Sequence, residues 1–150
     1  MYGKLLGWAL LMATAGAIAL HPAVHAAGSS DGSHRLAIQV SEDDPAKMNI
    51  ALNNATNVIR HYGPANVEVE IVAYGPGLHL FHKDSKLKDR LASLHAYGNV
   101  HFGVCQNTMN KLKWSKTDLL SAAFVQDALV PSGVVRLMEL QEQGYTYIRP

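Results

Sequence analysis

From about residue 34 onward, apolar positions fall into short runs with a period of two and longer repeats with helical spacing. Leu36 to Val40 is a short apolar run ended by the acidic turn Ser41-Glu42-Asp43-Asp44, as expected of a buried strand. Asp44 then stands as the cap of a helix whose first position is Pro45. Apolar residues recur at Met48, Leu52, Ala55 and Ile59, so the spacing predicts a helix from Pro45 to about His61, stopped by Gly63-Pro64. Val67, Val69 and Ile71 alternate with Glu68 and Glu70 and lead into Val72-Ala73, a second strand broken by Gly75-Pro76-Gly77. A second helix is expected from about Ser85 to Ala96, with Leu87, Leu91, Leu94 and His95 on one face and Gly98-Asn99 closing it.

Val100 to Val104 reads as a third strand that delivers Cys105 at its carboxyl end, and Gln106-Asn107-Thr108 opens a further helix through Leu112. Between Thr117 and Val130 the pattern supports one short helical segment and then a strand near Gln126 to Val130. Ser132 caps the last helix, in which Val134, Val135, Leu137, Met138 and Leu140 are expected to pack inward. Gly144 ends it, and Tyr145 to Ile148 forms a final strand. Strands alternating with helices of about 10–15 residues imply βαβ units, hence an α/β protein with a mostly parallel five-stranded sheet. Right-handed crossovers then place helices on both faces.

The first 26 residues follow a different pattern. Lys4 is their only charge, the run from Leu5 to Leu20 is apolar apart from small residues and Thr14, and Val24-His25-Ala26 follows. This is the order of a secretory signal peptide. A retained membrane anchor is the alternative, but the run falls short of the ~20 residues a span needs, and Pro22 follows it directly. The expected organisation is therefore a signal peptide over residues 1–26, a flexible Gly/Ser leader over 27–34 and one domain over 35–150, with the mature protein in the periplasm and free of the membrane.

Without Lys4 the chain carries 12 basic and 12 acidic residues, with no basic stripe interleaved with aromatics. That balance gives nucleic acid no electrostatic footing. A single cysteine excludes both an internal disulfide and a dithiol oxidoreductase. Neither a P-loop nor GxGxxG occurs, and no G-x-S-x-G elbow stands at a strand-to-helix turn.

Ligands of open α/β sheets sit beyond the carboxyl ends of the strands, near a change in strand order. Ser41 to Asp44, Gly75 to Gly77 and Cys105 to Thr108 all reach that edge. At a strand end before a helix start, Cys105 meets backbone N–H groups that favour a thiolate, with Lys111 and Lys113 farther along. A free cysteine that only packs is the competing reading. For Gly75-Pro76-Gly77, close backbone approach to a bound group or a neighbouring loop competes with a rigid strand-to-helix turn. His79, His82 and Cys105, if they converged, could hold zinc or copper. His101 is about 13 Å from Cys105 along a straight strand, too far to share an ion with it.

Several segments together resemble the DsrE/DsrF-like family: Tyr74-Gly75-Pro76-Gly77-Leu78, Phe102-Gly103-Val104-Cys105-Gln106-Asn107-Thr108, Val130-Pro131-Ser132-Gly133-Val134, Leu140-Gln141-Glu142-Gln143-Gly144-Tyr145 and the closing Tyr147-Ile148-Arg149-Pro150. They occur in order and cover Leu36 to Pro150. The resemblance implies a YchN-like three-layer α/β/α fold, assembled as a homotrimer or homohexamer. It also implies a persulfide relay in which a cysteine accepts sulfane sulfur and passes it to a partner thiol. Carried over by position, Cys105 is the acceptor, and Gly75 and Gly77 match the turn lining the same edge. Asn107 and Thr108 match the flanking motif, and polar stabilisation of the sulfur by them is inferred from their chemistry rather than carried over. No metal or organic cofactor is implied. Donor and acceptor would be proteins or small thiols, which makes the chain a sulfurtransferase-type carrier. An oligomeric binding module with a structural cysteine is the alternative, and a copper- or zinc-binding protein is another.

Overall fold

A computed structural model of the chain describes residues 33–150. The expected signal peptide, and the expected leader up to residue 32, lie outside the described residues. The first strand, β1 (His34–Val40), starts two residues before the expected Leu36. α1 (Pro45–Tyr62) begins as its sequence dictates. The Asp44 carboxylate accepts the N–H groups of Ala46 and Lys47, Pro45 fills the first turn, and Gly63 at φ +85° ends the helix. Its inner stripe is Met48, Ala51, Leu52, Ala55 and Ile59.

β2 (Val67–Ala73) is followed by a 3-10 segment, Gly75–Phe81, and then α2 (Lys88–His95). β3 (Val100–Cys105) runs straight into α3 (Gln106–Leu112); α4 (Ala123–Gln126), β4 (Leu129–Val130), α5 (Gly133–Glu142) and β5 (Thr146–Ile148) complete the domain. The sheet order is β4-β3-β2-β1-β5, and every pairing is parallel. One face carries the main core, built on Ile38, Ile71, Val104 and Phe81 under α1 and α2. On the other face a smaller cluster of Ala37, Val72, Leu137, Leu140 and Tyr145 lies under α5. The architecture is the three-layer α/β/α expected.

Several boundaries differ from the pattern-based reading. α2 starts at Lys88 rather than Ser85, because residues 82–85 are held in a turn in which Ser85 N–H donates to the His82 carbonyl. His95 is exposed and stacks on Phe124, 4.6 Å between ring centres, instead of joining the buried leucines. The strand expected near Gln126 shrinks to Leu129–Val130, since α4 takes the residues before it. The largest correction concerns α5. Val134, Val135 and Met138 do not pack inward but are 54%, 49% and 57% exposed. A ten-residue helix on a flat sheet buries one stripe, here Gly133, Leu137 and Leu140, and the other apolar positions face away.

Candidate functional site

The carboxyl edge of the sheet brings the expected residues together. Gly75 sits at φ +54°, and its N–H donates to the Thr108 hydroxyl at 2.9 Å, tying the end of β2 to the first turn of α3. The Asn107 N–H donates to the Pro131 carbonyl at 3.2 Å, which ties the same turn to the loop after β4. Cys105 lies between these ties, at the N-cap of α3 and in register with Val130 of β4. Asn107 is exposed and Thr108 half-buried.

Cys105 itself is 3% exposed in the single chain and belongs to the main core cluster. Lys111 and Lys113 are exposed, Lys113 in the left-handed conformation that ends α3. The thiol is therefore placed where the pattern puts it, but under cover.

Gly77 makes a close backbone approach to a neighbouring segment. A Cβ there would lie 2.3 Å from the Val40 carbonyl oxygen, so glycine lets the 3-10 segment press on the end of β1. Its smallness serves packing between two backbones.

A polar network at this edge escapes sequence reasoning. The Tyr147 hydroxyl donates to the Gln39 side-chain oxygen at 2.6 Å, and the Gln39 amide donates to the Ser41 hydroxyl at 3.0 Å. Arg149 and Lys47 both bind Glu42, Arg149 at 2.5 Å, and hold its carboxyl below the usual range. Burial pushes the Tyr74 phenol above its ordinary value, with Tyr147 and Cys105 acting in the same direction. The strand order reverses between β1 and β5, where this network sits, whereas Cys105 is on β3, two strands away. Period-two alternation beyond β2 puts Tyr74 on the face of Glu70 and Val72, and there it packs on the Val72 cluster and against Gly133 of α5.

A second feature lies lower on the α5 face. Arg136 forks onto Glu70, with Nε and Nη2 each 2.7 Å from a carboxylate oxygen, and Glu70 is 3% exposed. The pair borders an open cleft of about 580 Å³, lined also by Glu68, His101, Phe102, Asp127 and Pro131. His79 lies on the 3-10 segment and His82 caps its end, both beside Trp114. Among the described residues no three His, Cys, Asp or Glu side chains converge, so His79, His82 and Cys105 do not form a common ligand set.

Comparison with known proteins places this arrangement. No curated protein matches the chain. A solved structure, that of the protein of unknown function MTH1491 from Methanobacterium thermoautotrophicum, is similar at 28% identity and a TM-score of 0.70, over 79% of this chain and 100% of that one. The family model of the DsrE/DsrF-like family matches residues 34–150, which takes in all five strands. Fold, motif order and family match agree, and the chain belongs to the DsrE/DsrF-like family, which is generally linked to sulfur relay.

Proposed function

We propose that this protein is an exported, periplasmic sulfur carrier that loads a sulfane sulfur on Cys105 and hands it to a partner thiol. The reading is carried by the placing of the chain's one cysteine where β3 becomes α3, flanked by the Gly75–Thr108 and Asn107–Pro131 ties. The Cys105 thiolate attacks the outer sulfur of a donor persulfide; the donor leaves as a thiolate, and Cys105 becomes a persulfide. An acceptor thiolate then attacks that outer sulfur and releases Cys105. No net oxidation occurs. Asn107, Thr108 and the Gly75 turn contact the loaded sulfur. Because the thiol is 3% exposed, loading requires the cover over the strand end to open.

The test is intact mass after exposure of the folded protein to a small-molecule persulfide. The wild type should gain one sulfur atom, and Cys105→Ala, shown to be folded by circular dichroism, should gain none. Equal gain in the variant, or none in the wild type, overturns the proposal. The burial of Cys105 favours a second reading, an oligomeric binding module whose cysteine only packs. That reading expects an unmodified wild type under the same treatment.

Assembly as a homotrimer or homohexamer is part of the proposal. The outward row Val134, Val135 and Met138 on α5 supports it, since three half-exposed apolar side chains on one helix gain by burial. Sedimentation should show a trimer or hexamer that Met138→Asp shifts toward monomer. A wild-type monomer at working concentration removes this part.

A further inference from the structure

We infer a second site, independent of the sulfur chemistry: His79, His82 and Trp114 form a binding site for a soft monovalent d10 cation, copper(I). The 3-10 segment has three residues per turn, so side chains three apart lie above one another. His82, the residue that ends the segment, donates its N–H to the His79 carbonyl at 3.1 Å, which keeps the two side chains on one side, ring edge toward ring. The two imidazole centres are 6.1 Å apart, and each is near the indole, His79 at 5.1 Å and His82 at 4.7 Å. The three centres make an acute triangle whose middle is about 3 Å from each, close to the ring-centre distance that a metal–nitrogen bond of about 2.0 Å requires.

The His79 ring is oriented for this, and the His82 ring reaches it by a tautomer change. His79 Nδ1 donates to the Pro76 carbonyl at 3.0 Å and faces the Asp43 carboxylate at 3.3 Å, which leaves Nε2 with its lone pair. Metal-binding histidines are oriented by such an outer partner. His82 Nδ1 accepts the Asp84 N–H at 3.3 Å, which leaves the proton of the neutral ring on Nε2, and the Asp84 carboxylate lies 3.5 Å from the same Nδ1. When Nε2 binds a metal, the ring proton moves to Nδ1 and is donated to that carboxylate.

Trp114 is fixed rather than mobile in this arrangement. Its N–H donates to the Met109 carbonyl, and the loop after it is sewn to the 3-10 segment by Leu120 N–H to Phe81 and Lys83 N–H to Asp118, both 2.9 Å. The choice of ion follows from the donor set. Two imidazoles without a third converging ligand do not satisfy tetrahedral zinc, and oxygen-seeking magnesium or calcium finds no cage. A two-coordinate soft cation needs only the pair, and an indole face adds cation–π attraction.

The experiment uses the full chain carrying Cys105→Ser, so that thiol binding cannot supply the signal. The probes are silver(I), and copper(I) presented by a chromogenic chelator under nitrogen. One equivalent should bind and alter Trp fluorescence. His79→Ala and His82→Ala, folded by circular dichroism, should each bind at least about 100-fold more weakly, a larger loss than the about 10–100-fold typical of an outer partner. Trp114→Phe should lose the fluorescence change, since Trp8 is the only other tryptophan. His61→Ala should bind as the parent does. Failure of the parent to bind either ion, or unchanged affinity in the His79→Ala/His82→Ala double variant, overturns the inference. Neither result bears on sulfur uptake at Cys105.

Discussion

Replacing Arg136 by Leu should lower the unfolding free energy by about 3 kcal/mol, read by urea denaturation, with the thermal midpoint falling by roughly 10 °C. The cost comes from what is left behind. Glu70 has both carboxylate oxygens forked by the guanidinium at 2.7 Å and is 3% exposed, so removing the partner strands a buried charge. Breaking such pairs costs about 3–5 kcal/mol; the lower end applies here because Glu70 borders the 580 Å³ cleft, from which water can reach it. The reverse change should cost less. In Glu70→Leu the stranded group is a guanidinium with 28% of its side chain already exposed, and Glu139 lies 3.5 Å from it. The double variant Glu70→Leu/Arg136→Leu should recover most of the loss, since two apolar side chains carry no desolvation debt. Equal costs for the two single variants would show that Glu70 is better hydrated than its burial implies.

Gly77→Ala should be at least as damaging, losing about 3 kcal/mol or more in the same denaturation measurement, the upper end of overpacking. One methyl group would sit 2.3 Å from the Val40 oxygen, 2.6 Å from its carbonyl carbon and 2.7 Å from the Ser41 nitrogen. All three are backbone atoms, and the same Val40 carbonyl accepts the Tyr74 N–H at 3.1 Å, so β1 cannot move aside without breaking its link to β2. The alternative is for the 3-10 segment to lift, which uncovers Leu78, Leu80 and Phe81, all fully buried. Gly75→Ala is the control. Its φ of +54° costs an L-residue about 1–2 kcal/mol, but its nearest contact is an ordinary 3.7 Å. A Gly77→Ala variant no worse than Gly75→Ala would mean that the edge yields more easily than its hydrogen bonds suggest.

These two predictions mark the limit of what pattern reading reaches at the candidate site. Gly77 is conspicuous in the sequence, and the structure adds which segment it approaches, the backbone at the end of β1. Glu70 looks like the polar member of an alternating strand. Its burial follows from Arg136, 66 positions away, crossing over it. Cys105 and Thr108 fall where the spacing puts them, and the Gly75–Thr108 hydrogen bond joins two motifs that sequence could only set side by side. The burial of Cys105 could not be read, because it depends on how the main core cluster, gathered from distant segments, closes around the strand end.

The kinds of element, their order and the parallel sheet follow from short-range pattern: alternation in β2, three-and-four spacing in α1, Asp44 and Pro45 at its start, Gly63 at its end. Each of these acts within a turn or two of the chain, so neighbouring residues suffice to specify it. Which strand neighbours which, that β5 pairs with β1 while β4 closes the far edge, that half of α5's apolar residues face outward, and that His79, His82 and Trp114 surround one point were decided only in the folded molecule. Those outcomes are set by contacts between segments tens of residues apart, and local spacing carries no record of them.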